Sequence, residues 1–280
     1  MKKLRFFFTM FLSLLVICTI TASTVFAQTE NNNSTSDEDS TTPLFLPLIT
    51  QSNQSVDNSN ENSQISATSQ QACVVCQALF HDNFQRRGIA SDWSWVDPDE
   101  DVLHTTTARQ GYLRLSTDSA NGNNLAPGLM GAPRLLRPLS GDSFKISTQV
   151  EITPIHDYQG AGLLIWQDEN HFIRLERGLG LNGQGVYFAK NDNGNFTYQF
   201  AATEVTALRL RLQRLGRIVV AWMKDDQTGW KVVGAVNALP SDDLQVGIIM
   251  VADFYSPPTT ADFDYFAITT CSPDFPETDD

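Results

Sequence analysis

The chain has little of what most protein chemistry needs. Four cysteines and four histidines are spread over 280 residues. "CVVC" at 73 to 76 has neither a second C-x-x-C nor a nearby His pair, so a zinc or redox use of it lacks the remaining ligands. His81, His104, His156 and His171 are scattered, and no nucleophile motif such as G-x-S-x-G surrounds them. There is no convincing helix of three turns and no fixed-period repeat, which argues against bundles and solenoids. Beyond the N-terminus no stretch approaches the ~20 apolar residues of a membrane span. Cations are scarce as well: 19 Lys and Arg stand against 32 Asp and Glu, a net charge of -13. Nucleic acid and anionic membranes need basic patches, so neither is an expected partner.

What is present begins with a leader. Lys2, Lys3 and Arg5 precede an apolar run from Phe6 to Ile20, and "TASTVFA" ends in small residues, the three parts of a secretory signal peptide cleaved after Ala27. Ile17 before Cys18 is too bulky for the usual lipidation site. The expected setting is secreted or extracellular, with attachment to the cell surface left open. Residues 28–72 are dominated by Asn, Ser, Thr, Gln and Asp and cannot bury enough apolar surface to offset the entropy of ordering, so they read as a disordered linker. "PLFLPLIT" at 43 to 50 interrupts it, as a sticky spot or as a short docking peptide; its prolines disfavour helix and central strand alike. The leader holds three of the cations, and the linker and the tail from Ser272 hold ten of the acids, so residues 73–271 carry 22 acids against 16 cations. That mild excess says little about neutral glycans.

From Ala78 to Thr270 short runs rich in Val, Ile, Leu, Phe, Tyr and Trp are divided by Gly, Asn, Asp and Pro clusters, some fourteen in all, which means many antiparallel strands. The fold is predicted to be all-β: a two-sheet antiparallel jelly-roll sandwich over 73–271, followed by an acidic tail at 272–280. Asn193-Gly194 is a strong two-residue hairpin signal, placing Tyr187 across from Phe200, Ala189 from Tyr198 and Asn191 from Phe196. "LRLRLQRLGRIVVAW" alternates, sending Leu208, Leu210 and Leu212 to the core and Arg209, Arg211 and Gln213 outward. Cys73, Cys76 and Cys271 bracket the domain. Secretion permits disulfides, and first and last strands of a sandwich often adjoin, so Cys271 is expected to bond Cys73 or Cys76. Closing so long a loop is worth roughly 4 to 5 kcal/mol on the chain-entropy account.

The succession "FHDNF", "DWSWV", "GYLRLST", "GAGLLIWQDENHFIRLERG", "LRLRLQRLGRIVVAWMKDDQTGW", "VGIIM" and "ADFDYFAI" resembles the concanavalin A-like lectin/glucanase superfamily over about residues 78 to 270. Within it the similarity is to the accessory jelly rolls that follow the catalytic domain in some family 43 glycosidases, and to related secreted domains of unknown function. The resemblance implies this fold and a tendency to bind carbohydrate, a glycan or cell-surface polysaccharide. It also implies a structural calcium between first and last strands, which points to Asp82 and Asp264. "DPDED" at 97 to 101 opens like a calcium loop but has Ala108 where an EF-hand needs glutamate. Glycanases of the superfamily carry E-x-D-x-E on one strand, and no strand here does. Glu176, flanked by Arg174 and Arg177, is expected to be ionised and salt-bridged, the wrong state for a general acid. No residue is assigned to catalysis, and no cofactor is expected.

Binding is the better-supported class. Tyr187, Tyr198, Phe196 and Phe200 gather on one face, as a sugar platform or as one side of the core. A Leu215-Gly216 turn would put Arg209 opposite Trp222, a cation–π pair that could also hold a ligand. Trp93, Trp95 and Trp230 read as core or rim packing. Trp166, Arg174 and Glu176 complete the candidate set. For Trp166 the outcome depends on the turn at Glu169-Asn170: two residues pair it with Ile173 in the core, whereas three pair it with Phe172 or Arg174. Carbohydrate binding on one sheet face leads; a structural or protein-interaction domain on a tether is the alternative, and a glycan-active enzyme trails.

Overall fold

The computed structural model describes residues 74–118 and 122–273. The signal peptide, the linker with "PLFLPLIT", Cys73 and most of the acidic tail lie outside them. Apolar–polar alternation is realised there as seventeen strands, numbered in chain order. One sheet runs β15 (Lys231–Asn237), β14 (Ile218–Lys224), β13 (Ala207–Leu215), β8 (Ser143–Ile152), β17 (Thr260–Pro273), β4 (Leu113–Thr117) and β3 (Val102–Thr105), with β1 (Val74–Asp82) also paired to β17. The other runs β12 (Asn195–Ala202), β11 (Gly183–Asp192), β10 (His171–Gly180), β9 (Gln159–Asp168), β16 (Asp243–Val251), β7 (Arg134–Ser140) and β2 (Ser94–Val96). A small hairpin, β5 (Leu125–Ala126) and β6 (Leu129–Met130), stands apart from both. The result is an all-β sandwich of two antiparallel sheets.

The two sheets meet through their inward faces. Leu208, Leu210 and Leu212 of β13 and Val150 of β8 pack in one cluster with Leu163, Ile165, Ile173, Leu175 and Phe188 from the seven-stranded sheet. Burying each such side chain is worth about 1.5–3 kcal/mol, so this layer dominates the stability. A second, smaller apolar cluster sits on the outer face of the seven-stranded sheet. Leu136, Leu164, Trp166, Phe172, Ile249 and Val251 are covered there by Leu125 and Ala132, from the segment that carries the β5–β6 hairpin. Double coverage explains why "GAGLLIW" on β9 shows no alternation: it is buried on both faces.

The expected strands are all present; β2, β5 and β6, of two or three residues each, are additional. Asn193 and Gly194 both adopt positive φ, at 51° and 83°, and close the β11–β12 hairpin in the anticipated register, Tyr187 opposite Phe200 and Ala189 opposite Tyr198. Two other registers differ. In β13–β14 the turn is Gly216-Arg217, with Leu215 opposite Ile218, so Trp222 faces Arg211 and Arg209 faces Lys224. Gly216 carries the positive φ, 56°, that sets the turn one residue later than expected. In β9–β10 the two-residue turn is present, Asp168 opposite His171, but a one-residue irregularity follows and Trp166 pairs with Phe172. That bulge reverses the expected faces, sending Leu163 and Ile165 inward and Leu164 and Trp166 outward.

Candidate functional site

Strand β10 supplies the polar floor of a pocket on the outer face of the seven-stranded sheet. Its inward positions, Ile173 and Leu175, are fully buried in the main core. The alternate positions Phe172, Arg174 and Glu176 therefore point outward. Arg174 and Glu176 nonetheless stay covered, at 8% and 5% exposure. Beside Glu176, glycine on the neighbouring strand lets the two backbones approach closely. Gly162 lies opposite Glu176, and a Cβ there would collide with the Leu175 carbonyl and the Glu176 backbone.

The walls come from three other places. β11 and β12 contribute Tyr187, Ala189, Phe196 and Tyr198; the segment before β5 contributes Asn124; and Tyr158, Gln159 and Leu181 stand at the far end. The cavity between these walls measures about 100 Å³ and is open at its mouth. The Tyr187 hydroxyl is occupied, donating to the Gly183 carbonyl at 2.8 Å and accepting from the Asn182 N–H at 3.2 Å. Its ring meets those of Phe200 and Tyr198, with centroids 4.8 and 6.0 Å away. Tyr198 is the outermost aromatic, 46% exposed.

The polar centre is incompletely paired. Arg174 Nε lies 3.6 Å from Glu176 Oε1, an ion pair too long to be a hydrogen bond. Arg174 Nη1 donates to Asn124 Oδ1 at 3.3 Å, and the guanidinium lies 5.3 Å from the Phe196 ring centre. Arg174 Nε and Glu176 Oε2 have no hydrogen-bond partner within the protein. Burial raises the Glu176 carboxyl above its ordinary range, outweighing the opposing pull of Arg174. The expected ion pair with Arg174 is present, but burial works against it. Arg177 projects to the opposite side of β10, where its guanidinium donates to the carbonyls of Val205 and Gly178.

Four of the seven candidate residues thus converge: Arg174, Glu176, Tyr187 and Tyr198. Trp166 does not join them. It is 9% exposed in the outer apolar cluster, stacked on Phe172 at 5.9 Å and covered by the Arg134 guanidinium at 4.5 Å. Arg209 and Trp222 belong to the other sheet, so the candidates do not share one face. Arg209 donates to Gln149 Oε1 at 3.1 Å, and it is Arg211 that lies over a tryptophan, 3.8 Å from the Trp230 ring centre. Tyr187, Phe196, Tyr198 and Phe200 lie outside the main core, with Phe196 against the outer cluster. Asn124, Tyr158, Gln159 and Leu181 were not anticipated. Tyr158 holds a positive φ of 62°, which nothing in its residue type signals.

Of the two proposed metal ligands, Asp82 is engaged within the protein. Asp82 accepts from the Phe84 N–H at 2.9 Å and from the Trp93 indole at 3.0 Å. Among the described residues no group of three or more His, Cys, Asp or Glu is placed to hold a metal ion. In "DFD" it is Asp262 that is occupied, bridging Arg109 and Arg114 at 3.0 and 2.7 Å. The backbone register sets Cys76 directly opposite Cys271. No helix among the described residues is long and apolar enough to cross a membrane.

Against known proteins, the profile described as "Beta xylosidase C-terminal Concanavalin A-like domain" matches residues 81–269. No curated protein matches the sequence. Among solved structures, the GH43 BlXynB protein from Bacillus licheniformis superposes with a TM-score of 0.58 at 16% identity, over 68% of this chain and 39% of that one. The xylan beta-1,4-xylosidase from Bacillus halodurans gives 0.55 at 20% identity, over 67% and 38%. This chain therefore spans about two-fifths of the length of these structures. At such identities the likeness speaks for the fold.

Proposed function

Because this chain belongs to the beta-xylosidase C-terminal concanavalin A-like domain family, we propose that it is a noncatalytic module that binds carbohydrate in the pocket above β10. The observation that carries this reading is the conjunction of unpaired polar atoms on Arg174 and Glu176 with the aromatic wall of Tyr187, Phe196 and Tyr198. Sugars need both, a ring face for the apolar side of the sugar and fixed polar groups for its hydroxyls. Glu176 is the one acid lining the pocket. Glycoside hydrolysis by the usual route needs two carboxyl groups astride the scissile bond, which favours binding over turnover.

The proposed setting is outside the cytoplasm, following the leader at 1–27. There we propose a disulfide between Cys76 and Cys271, which the pairing of β1 with β17 brings opposite one another. The test of the binding reading is glycan-array and calorimetric titration of the mature protein. Xylan oligosaccharides come first, since one solved structure with this fold is named a xylan beta-1,4-xylosidase. Tyr198→Ala should weaken binding at least about tenfold, or ~1.4 kcal/mol, with unchanged melting, because the residue is half in solvent. Binding that survives this change, or reducing sugar released by the protein and lost in Glu176→Gln, would sink the proposal.

A further inference from the structure

Resting on that reading, we infer that the pocket takes the uncharged terminal sugar of a glycan, entered end-on, and discriminates against uronic acid and amino sugar termini. Two observations carry this. The first is the chemistry of the unpaired atoms. Arg174 Nε is a donor without an acceptor, Glu176 Oε2 is an acceptor without a donor, and both residues are more than nine-tenths buried. Buried polar groups of native proteins nearly always find partners, so a pair left unsatisfied on two residues that line a pocket calls for an outside one. A hydroxyl answers both atoms, since it accepts from the guanidinium while donating to the carboxylate. If Glu176 is protonated the hydroxyl still fits, accepting from the acid. A uronate fits only with Glu176 protonated, and an ammonium meets Arg174 as a like charge in a poorly solvated place.

The second observation is the closure of the face. A chain lying along the sheet would have to continue over Leu164, Trp166 and Phe172, but Leu125 and Ala132 occupy that ground. What stays open is the opposite end, where Tyr158, Leu181 and Tyr198 are 39%, 75% and 46% exposed. A glycan end can reach Arg174 and Glu176 past these residues, and the interior of a long chain cannot. The rim side chains then meet the second sugar, so a disaccharide should bind more tightly than its monosaccharide.

The test is an array of oligosaccharides differing only in the terminal residue, a neutral pentose or hexose, a glucuronic acid or a glucosamine, followed by titration of a chain-length series of the neutral form that binds. Neutral termini should bind roughly tenfold or more tightly than either charged class. Affinity per chain should rise from one sugar to the next few and then stay level. Glu176→Gln leaves Arg174 as the sole charge and should move the preference toward glucuronate; Tyr198→Ala, on the exposed rim, should weaken the longer oligomers more than the monosaccharide. Thermal melts of both variants confirm that they are folded. Preference for charged termini in the unaltered protein, or affinity per chain that keeps growing with length, overturns this inference and leaves the binding reading standing. No binding to any member of the array overturns both.

Discussion

The side-chain amide of Gln199 donates to the carbonyl of Ala235 at 2.8 Å and accepts from the N–H of the same residue at 3.2 Å. Gln199 lies on β12, the edge of the seven-stranded sheet, and Ala235 on β15, the edge of the eight-stranded one. One side chain therefore does for an edge strand what a neighbouring backbone would do, and links the two sheets along that flank. Gly234 leaves room for it, since a Cβ there would collide with the Gln199 side chain.

Replacing Gln199 by Ala should lower stability by about 1 to 2 kcal/mol, the net worth of two hydrogen bonds at a half-exposed place. Denaturant unfolding measures it. An unchanged midpoint would mean that the two edges hold together without this link.

Glu176 makes stability depend on pH in a definite direction. Burial raises its carboxyl above the ordinary 4.5, with Arg174 opposing. The folded chain thus holds the proton more tightly than the unfolded chain. Stability from this source is fully present below about 4.5 and is lost as pH rises from there through the folded value. The melting temperature of Glu176→Gln should accordingly decline less than that of the unaltered protein across this window. Parallel curves would refute the assignment.

Gly162→Ala should destabilise by roughly 1 to 3 kcal/mol, the usual cost of forcing a methyl into packed space. The methyl would push against the Leu175 carbonyl, which is ladder backbone and cannot swing aside. Sugar binding should weaken too, because the displacement lies beneath Glu176. Wild-type stability and affinity in this variant would show that β9 and β10 are looser than drawn.

Peptide mapping without reductant should recover Cys76 joined to Cys271. Cys76→Ser should cost up to about 4 to 5 kcal/mol on the chain-entropy account, whereas Cys73→Ser should cost little. A Cys73–Cys271 peptide would overturn the pairing.

How far the sequence could be read depended on where the information was local. Asn193-Gly194 fixed its hairpin because positive φ at both positions is a property of those two residue types. The bulge after the Glu169-Asn170 turn has no such signature, and it decided which face Trp166 occupies. Alternation sorted Arg209 and Arg174 into outward positions correctly. It could not tell that they lie outward from different sheets, because a period of two reports the face of a strand and not the neighbours it will acquire. For Glu176 the pairing with Arg174 was legible, but Arg177, its neighbour in sequence, projects from the other face, and the burial that opposes the pairing comes from distant strands.

The β5–β6 hairpin was missed altogether, its strands being two residues each. Leu125 and Met130 take no part in the main core, yet they cover Leu164, Trp166 and Phe172 on the outer face. The hairpin's length is free to change without disturbing the layer that holds the sandwich together. Trimmed back, the same sheet would present an open channel to chain interiors; extended, it would roof the pocket and admit only a free monosaccharide. Under the proposed binding, the range of glycan lengths admitted is set by a short surface segment that takes no part in the main core.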